Sequence, residues 1–371
     1  MNYAIHVPED TETESRFRGI ISNKTNSYYI INEIASKPYM KILTGVKLNP
    51  NKEERKNEAF EKTPYNLAYF SKKYIKETIF DTQNRTDKEI QIFYQNLKQS
   101  FEKYSTVKRE NIQEMLDFIE TDDGIFYIME FCDISLSDYL NEIRTEKFVS
   151  ETDMELHIRG FIISILSCLS SVHEENMHYC GLIDIKDIYL KILPNKEYVI
   201  KFLHPVLSDL ITLLKVYDKK GCPSFFAPEI YEKFKNKEEI DKQLSFYNSF
   251  EAVSILLKGF ANFVFDFWSA GALFYEMIFD KEPFKILSLD SYENDLNDEM
   301  SYEMSTFCMT EKLEKLISGC LIYKMEKRLG GNLIEKMLRD LNKEKDNVEN
   351  IKKELKNRNE TLNKEKKAFN I

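Results

Sequence analysis

DFWSAGALFYEMIFDKEPF, residues Asp266–Phe284, is the stretch that decides the fold. As far as Phe279 it is apolar on every side of a helix, which is the composition of a helix at the centre of a large domain. The apolar run begins at Gly259 and is long enough to raise the question of a membrane span, yet Asp266 lies near its middle and Glu276 near its end. Ionisable groups there are costly in hydrocarbon, so the expectation is a buried helix and no membrane insertion. A chain of 371 residues, 43% hydrophobic, can bury such a helix and is long enough for more than one lobe.

Upstream, Tyr28 to Leu48 alternates aromatic or β-branched residues with polar ones (SYYIINEIAS, PYMKILTGVKL), which predicts two strands joined by a turn at Ser36-Lys37-Pro38. A third strand is predicted at Tyr65–Tyr74. KEIQIFYQNLKQSFEKY sets Ile90, Phe93, Leu97 and Phe101 three and four residues apart, the spacing of an amphipathic helix. NIQEMLDFIE and GIFYIMEF give two more strands about a turn at Asp122-Asp123-Gly124. SLSDYLNEI and ETDMELHIRGFIISILSCLSSVHEE then read as helices, and IYLKILPNKEYVIKFL reads as a hairpin turning at Pro194-Asn195-Lys196. Strands with one helix, followed by a mostly helical half, make an α+β chain of two lobes.

Charge and cysteine usage exclude several functions. With 52 Lys and Arg against 62 Asp and Glu, the formal net charge of −10 disfavours a nonspecific grip on phosphates, so no nucleic acid partner is expected. Cys132, Cys168, Cys180, Cys222, Cys308 and Cys320 lie far apart, without a C-x-x-C pair or a histidine at metal-ligand spacing. Neither a metal site nor a disulfide framework is indicated. The N-terminus, MNYAIHVPEDTETES, is acidic and lacks a signal peptide's basic start and apolar run, which points to a cytoplasmic protein.

Three strings in fixed order carry a family resemblance. DFWSAGALFYEMIFDKEPF has an Asp, any residue, Trp, Ser, any residue, Gly, then an apolar run closing on Pro-Phe. GCPSFFAPEIY (Gly221–Tyr231) contains Ala227-Pro228-Glu229, and EKRLGG contains Arg328. Together they resemble the eukaryotic protein kinase superfamily: its central buried helix, the end of its activation segment, and the Arg that pairs with the Glu of Ala-Pro-Glu, here Glu229. YIMEFCDISLSDYL resembles the strand entering the kinase hinge, with Met129 at the gatekeeper position before Glu130, Phe131 and Cys132. VHEENMHY resembles the approach to the catalytic loop. The resemblance spans residues 25–335 and implies a bilobal protein-kinase-like fold. Its parts would be an N-terminal extension at 1–24, a β-rich N-lobe at 25–132, a helical C-lobe at 133–332 with an insertion near 232–258, and a charged helical or coiled-coil tail at 333–371. Ala227, Pro228, Glu229, Asp266, Trp268, Gly271 and Arg328 are the retained residues, those that hold such a C-lobe together.

The residues that transfer phosphate match poorly. Kinases cover ATP with a glycine-rich loop, because only glycine lets backbone N–H groups come close to the phosphates. INEIASKPY, at that place, has no glycine. Ala68 sets the register of the Ala-x-Lys motif and puts Phe70 where the phosphate-binding lysine belongs; Lys72, two residues on, would share its side of a regular strand. Glu89 is the match for the helix glutamate that pairs with that lysine. CGLIDIKDIYL stands for the catalytic loop. Aligned without gaps it puts Cys180, Gly181 and Leu182 at His-Arg-Asp and Asp187 at the magnesium-binding Asn. An alternative register takes Asp184 as the base. At Asp-Phe-Gly stand His204, Pro205 and Val206, and imidazole is a poor magnesium ligand beside hard oxygen donors. A positioned base is worth roughly 10²–10⁴ in rate, so these losses together predict little turnover.

In the tail Ile334, Leu341, Val348, Leu355, Leu362 and Phe369 recur every seventh residue, while the companion column is mostly polar save Met337, Leu338 and Ile351. A single helix there would be about 55 Å long, more than a kinase-like domain of roughly 50 Å covers. The expectation is a pseudokinase without cofactor that binds other proteins through its C-lobe and tail, with a second copy of the chain among the candidate partners of the tail. Two alternatives stand beside it. One is a divergent Ser/Thr kinase using Asp184, Lys72 and Asp187 with ATP and magnesium. The other is a structural subunit of a larger or filamentous assembly.

Overall fold

The computed structural model describes residues 19–37, 39–48, 60–80, 86–106, 108–145, 151–174, 183–195, 197–207, 210–211, 214, 225–235, 264–284, 309–345 and 348–368. The chain divides into two compact units, one ending at Asp133 and the other beginning at Ile134.

The first unit is a single antiparallel sheet with a helix. Strands β1 (Gly19–Ser22), β2 (Ser27–Ser36), β3 (Lys41–Leu48), β4 (Phe60–Ser71), β5 (Met115–Glu120) and β6 (Gly124–Glu130) lie in the order β1-β2-β3-β4-β6-β5. β1 and β5 are therefore the two ends of the sheet, yet one carboxylate joins them. Asp117 of β5 accepts from Asn23 Nδ2 (2.8 Å), Asn26 Nδ2 (2.7 Å) and the Tyr28 hydroxyl (3.2 Å), all at the β1–β2 turn or its exit. The sheet is curled until its ends face each other, and Ile21, Tyr28, Ile30, Leu43, Leu67, Ile119, Phe126 and Ile128 form one buried cluster. From sequence, Gly19–Ser22 falls in the leading extension. Four residues are too few to show a period, and only the pairing with β2 reveals the strand.

β4 begins earlier and ends sooner than the 65–74 pattern predicts. Ser71 Oγ accepts from Tyr74 N (3.4 Å) and starts a helical turn, α1 (Lys72–Ile75), which runs on as a wide turn to Phe80 and buries Ile75, Ile79 and Phe80. α2 (Asp87–Tyr104) follows, opened by a capping box between Thr86 and Glu89, with Phe93 and Leu97 buried as their spacing predicts.

The second unit is mostly helical: α3 (Leu136–Thr145), α4 (Glu151–Glu174), α5 (Pro228–Lys235), α6 (Val264–Phe279), α7 (Glu311–Cys320), α8 (Gly331–Lys345) and α9 (Val348–Ala368). A small sheet, β7 (Ile134–Ser135), β8 (Ile188–Ile192) and β9 (Tyr198–Phe202), lies among them in that order. α6 is the helix of the opening string. At 16 residues it falls short of the roughly 20 that span a membrane, and it is buried from Val264 to Tyr275. Gly271 is required by close packing, because a Cβ there would come within 2.6 Å of Cys320 Cβ on α7. Among the described residues only Glu155–Glu174 in α4 is long and apolar enough to cross a membrane; half of its apolar window is buried in the protein, and it packs on α6 and α8.

The tail corrects the expectation of an uncovered seam. It forms two helices, and Ile334, Leu341 and Leu355 are buried together with Leu338 and Ile351 of the sparse companion column. α8 packs on α4 and α7, and α9 packs on α4. The described side chains of the column are therefore covered from within the unit. The side chains of Val348 and Leu362, the residue Phe369, and most of the stretch near 232–258 lie outside the described residues.

Candidate functional site

In the first unit Phe70, the residue that the Ala68 register sets at the lysine place, lies on β4 with its ring in the core. Successive strand residues face opposite sides, so Asn66, Ala68 and Phe70 share one face with their β6 partners Met129, Tyr127 and Ile125. Phe70 is fully buried and meets Tyr127 edge to face, with centroids 5.9 Å apart. Met129 and Cys132 are buried as well. Both main-chain groups of Glu130 are taken within the unit: its N–H donates to Glu114 O (2.9 Å) and its carbonyl accepts from Gln113 Nε2 (2.8 Å).

Lys72 does not lie on this strand. The strand ends before it, and its ammonium bonds Glu120 of β5 at 2.7 Å and lies 4.9 Å from the Tyr94 ring centroid. Burial and the Glu120 charge hold the Tyr94 phenol well above its ordinary range. Glu89 is likewise engaged locally: its carboxylate accepts from Thr86 N and Oγ1, both at 2.8 Å, closing the capping box on an exposed helix start. A Glu three residues after a Thr carries that signal in the sequence. The loop between β2 and β3 is a tight turn, Lys37 N donating to Met40 O at 2.8 Å, with Tyr39 and Met40 buried; Pro38 lies outside the described residues.

In the second unit Leu182, with Cys180 and Gly181, lies outside the described residues. The following turn is clear. Asp184 Oδ1 accepts from Lys186 N (2.9 Å), Asp187 N donates to Asp184 O (2.9 Å), and buried Asp187 leads straight into β8. Asp187 O accepts from Leu203 N (3.2 Å), which ties this turn to the residue before His204. His204 is completely buried, and its Nδ1 accepts from Val206 N at 3.3 Å. The two positions that the resemblance gives to metal ligands hold one carboxylate, Asp187, and one imidazole already turned to the backbone. That donor set does not fit magnesium, which needs several hard oxygens.

The retained residues converge. Arg328 bonds both carboxylate oxygens of Glu229, its Nη2 lying 2.9 Å from Oε2, and its Nε donates to Ile322 O at 3.0 Å. Its guanidinium carbon sits 5.0 Å from the Trp268 ring centroid. Ala227 and Pro228 lead into α5, where Ile230 N and Tyr231 N both donate to Ala227 O. Ser269 Oγ donates to Phe225 O (2.8 Å), and Asp266, wholly buried, is 2.9 Å from His173 Nε2 at the end of α4.

Sequence reasoning missed His173, although it is the second residue of the quoted VHEENMHY string, because nothing local to it reveals that Asp266 is its partner. It also missed Glu276, whose carboxyl is pushed up to about 7, first by burial and then by Asp184 and Glu282, against Lys186 and Arg144.

No protein-family model matches the chain. Among curated proteins it is similar to the human hormonally up-regulated neu tumor-associated kinase, 24% identical over 192 residues, which is 50% of this chain and 24% of that protein. It is also similar to the serine/threonine-protein kinase ULK3 of Xenopus laevis, 24% identical over 57% of this chain and 38% of that protein. The chain thus spans well under half the length of these relatives. Among solved structures it resembles Rad53 residues 1–466 in complex with AMP-PNP, with a TM-score of 0.52 and 14% identity, covering 83% of this chain and 63% of that one.

Two predictions follow from the second unit's charges. Removing one partner of a buried pair leaves the other uncompensated, at about 3–5 kcal/mol. Arg328→Ala is therefore expected to lower the melting temperature sharply, whereas an unchanged melting curve would contradict this packing. Glu276 has a folded-state value of about 7 against an ordinary 4.5, so as pH rises the unfolded chain loses its proton first. Stability should fall between these values, by on the order of 1–3 kcal/mol. Glu276→Gln should flatten that slope in denaturant titrations at pH 5 and pH 8.

Proposed function

We propose that this member of the protein-kinase-like superfamily is a pseudokinase, a binding protein that keeps the fold and transfers negligible phosphate. The observation that carries this reading is the burial of Phe70, the residue that the sequence register gives to the phosphate lysine, together with the pairing of Lys72 with Glu120. His204 at the metal position supports it, since imidazole cannot do the work of a magnesium carboxylate. Binding of other proteins in the cytoplasm, through the helical unit and its tail, is the corresponding role. Fold alone does not assign it, because one scaffold serves many functions.

A second reading has its own support: both named relatives are kinases, and the solved relative carries an ATP analogue. On that reading Asp184 is the base, Lys72 reaches the phosphates, Asp187 holds magnesium, and ATP is the phosphate donor. Its support from the fold is that Asp184 lies on the turn that enters β8.

Nucleotide titration with a melting-temperature readout separates the two. A site with a dissociation constant of about 10 μM would stabilise the protein by about 2.7 kcal/mol at about 1 mM ligand. The pseudokinase reading expects no magnesium-dependent rise with Mg-ATP. A clear rise that disappears on removing magnesium would favour the kinase.

A further inference from the structure

α9 grips the second unit in two ways. Ile351 and Leu355, one turn apart, are buried, and three residues further on Arg358 Nη2 pairs with Glu314 Oε2 of α7 at 2.5 Å, each side chain about one third exposed. Between them Glu354 Oε1 accepts from the main-chain N–H of Glu311, the first residue of α7, at 2.9 Å. That bond answers a need. A helix start leaves its first N–H groups without intrahelical partners and favours a negative charge. Thr310 occupies the capping position of α7 but makes no side-chain cap bond. Its hydroxyl is engaged by α4 instead, at 2.6 Å from Arg159 Nη2 and 2.9 Å from Glu155 Oε1, in a fully buried network.

We propose that α9 is a reversible clasp. Its docking caps α7 from outside, and through Thr310, Glu155 and Arg159 it braces α4, the helix that carries His173 to Asp266. The apolar pair gives the dock its hold and the partly exposed Arg358–Glu314 pair makes it sensitive to charge and salt. Release exposes Ile351, Leu355 and the surface they cover on the body, so one helix decides which apolar face the protein presents. The device operates whether or not the chain transfers phosphate.

Hydrogen exchange of the full chain, read by mass spectrometry, tests it. In Arg358→Glu and in Glu314→Arg, exchange across residues 348–358 and the first turn of α7 should rise by on the order of fivefold while the curled sheet is unchanged. The double variant R358E/E314R restores the opposite charges and should return both segments to the original rate. Arg358→Gln, milder, gives a smaller rise in the same segments should a reversal fail to fold. Exchange equal to the original chain in every single variant would overturn the proposal. So would a double variant as loose as the singles, or a rise spread evenly over the second unit.

Discussion

Arg328 is held where separate segments of the second unit have to meet. Its planar fork takes both oxygens of Glu229, its other donors reach carbonyls at Ile322, Tyr323 and Val264, and its face lies on Trp268. A buried guanidinium tolerates only such complete pairing, since an unpaired charge in the interior costs several kcal/mol. The segment that ends in Ala227-Pro228-Glu229, the central helix α6 and the turn before α8 are therefore fixed together by one side chain. Lysine, with a single point charge, has no equivalent geometry.

Around that anchor the same logic repeats with neutral and acidic groups. Ser269 fastens the backbone at Phe225, and His173 answers buried Asp266. None of these bonds involves a reacting atom. The requirements of the fold and those of phosphate transfer fall on different residues, so one set can be kept while the other changes. Phe70, where the sequence register expects a lysine, is packed in the first unit's core, and its ring makes an edge-to-face contact with Tyr127. His204 is likewise an interior residue, its Nδ1 taking the Val206 N–H within its own turn.

The central helix and its partners were legible in the sequence because their chemistry is rare in combination: an apolar run around one Asp and one Trp, with Ala-Pro-Glu before it and an Arg after it. α2 was legible from its period, and the hairpins from their turns. Three features were not. β1 is too short to show alternation, and the tie from Asp117 to Asn23 and Asn26 spans more than ninety positions. Lys72 was placed on a strand that a serine cap cuts short one residue earlier. The heptad column in the tail predicts a seam for another chain, because periodicity reports that a face is buried and not what buries it; its described members Ile334, Leu341 and Leu355 are buried on helices that pack on α4 and α7.

The central claim, a kinase-like fold without its chemistry, is tested most directly by phosphate incorporation itself. The full chain is incubated with terminally labelled ATP, with magnesium and then with manganese, alone and with a general protein substrate, beside the Asp184→Asn variant. The account predicts label at the level of the variant under every condition. Incorporation above background that is lost in Asp184→Asn, with the variant's melting temperature unchanged, would contradict it and identify Asp184 as a working base.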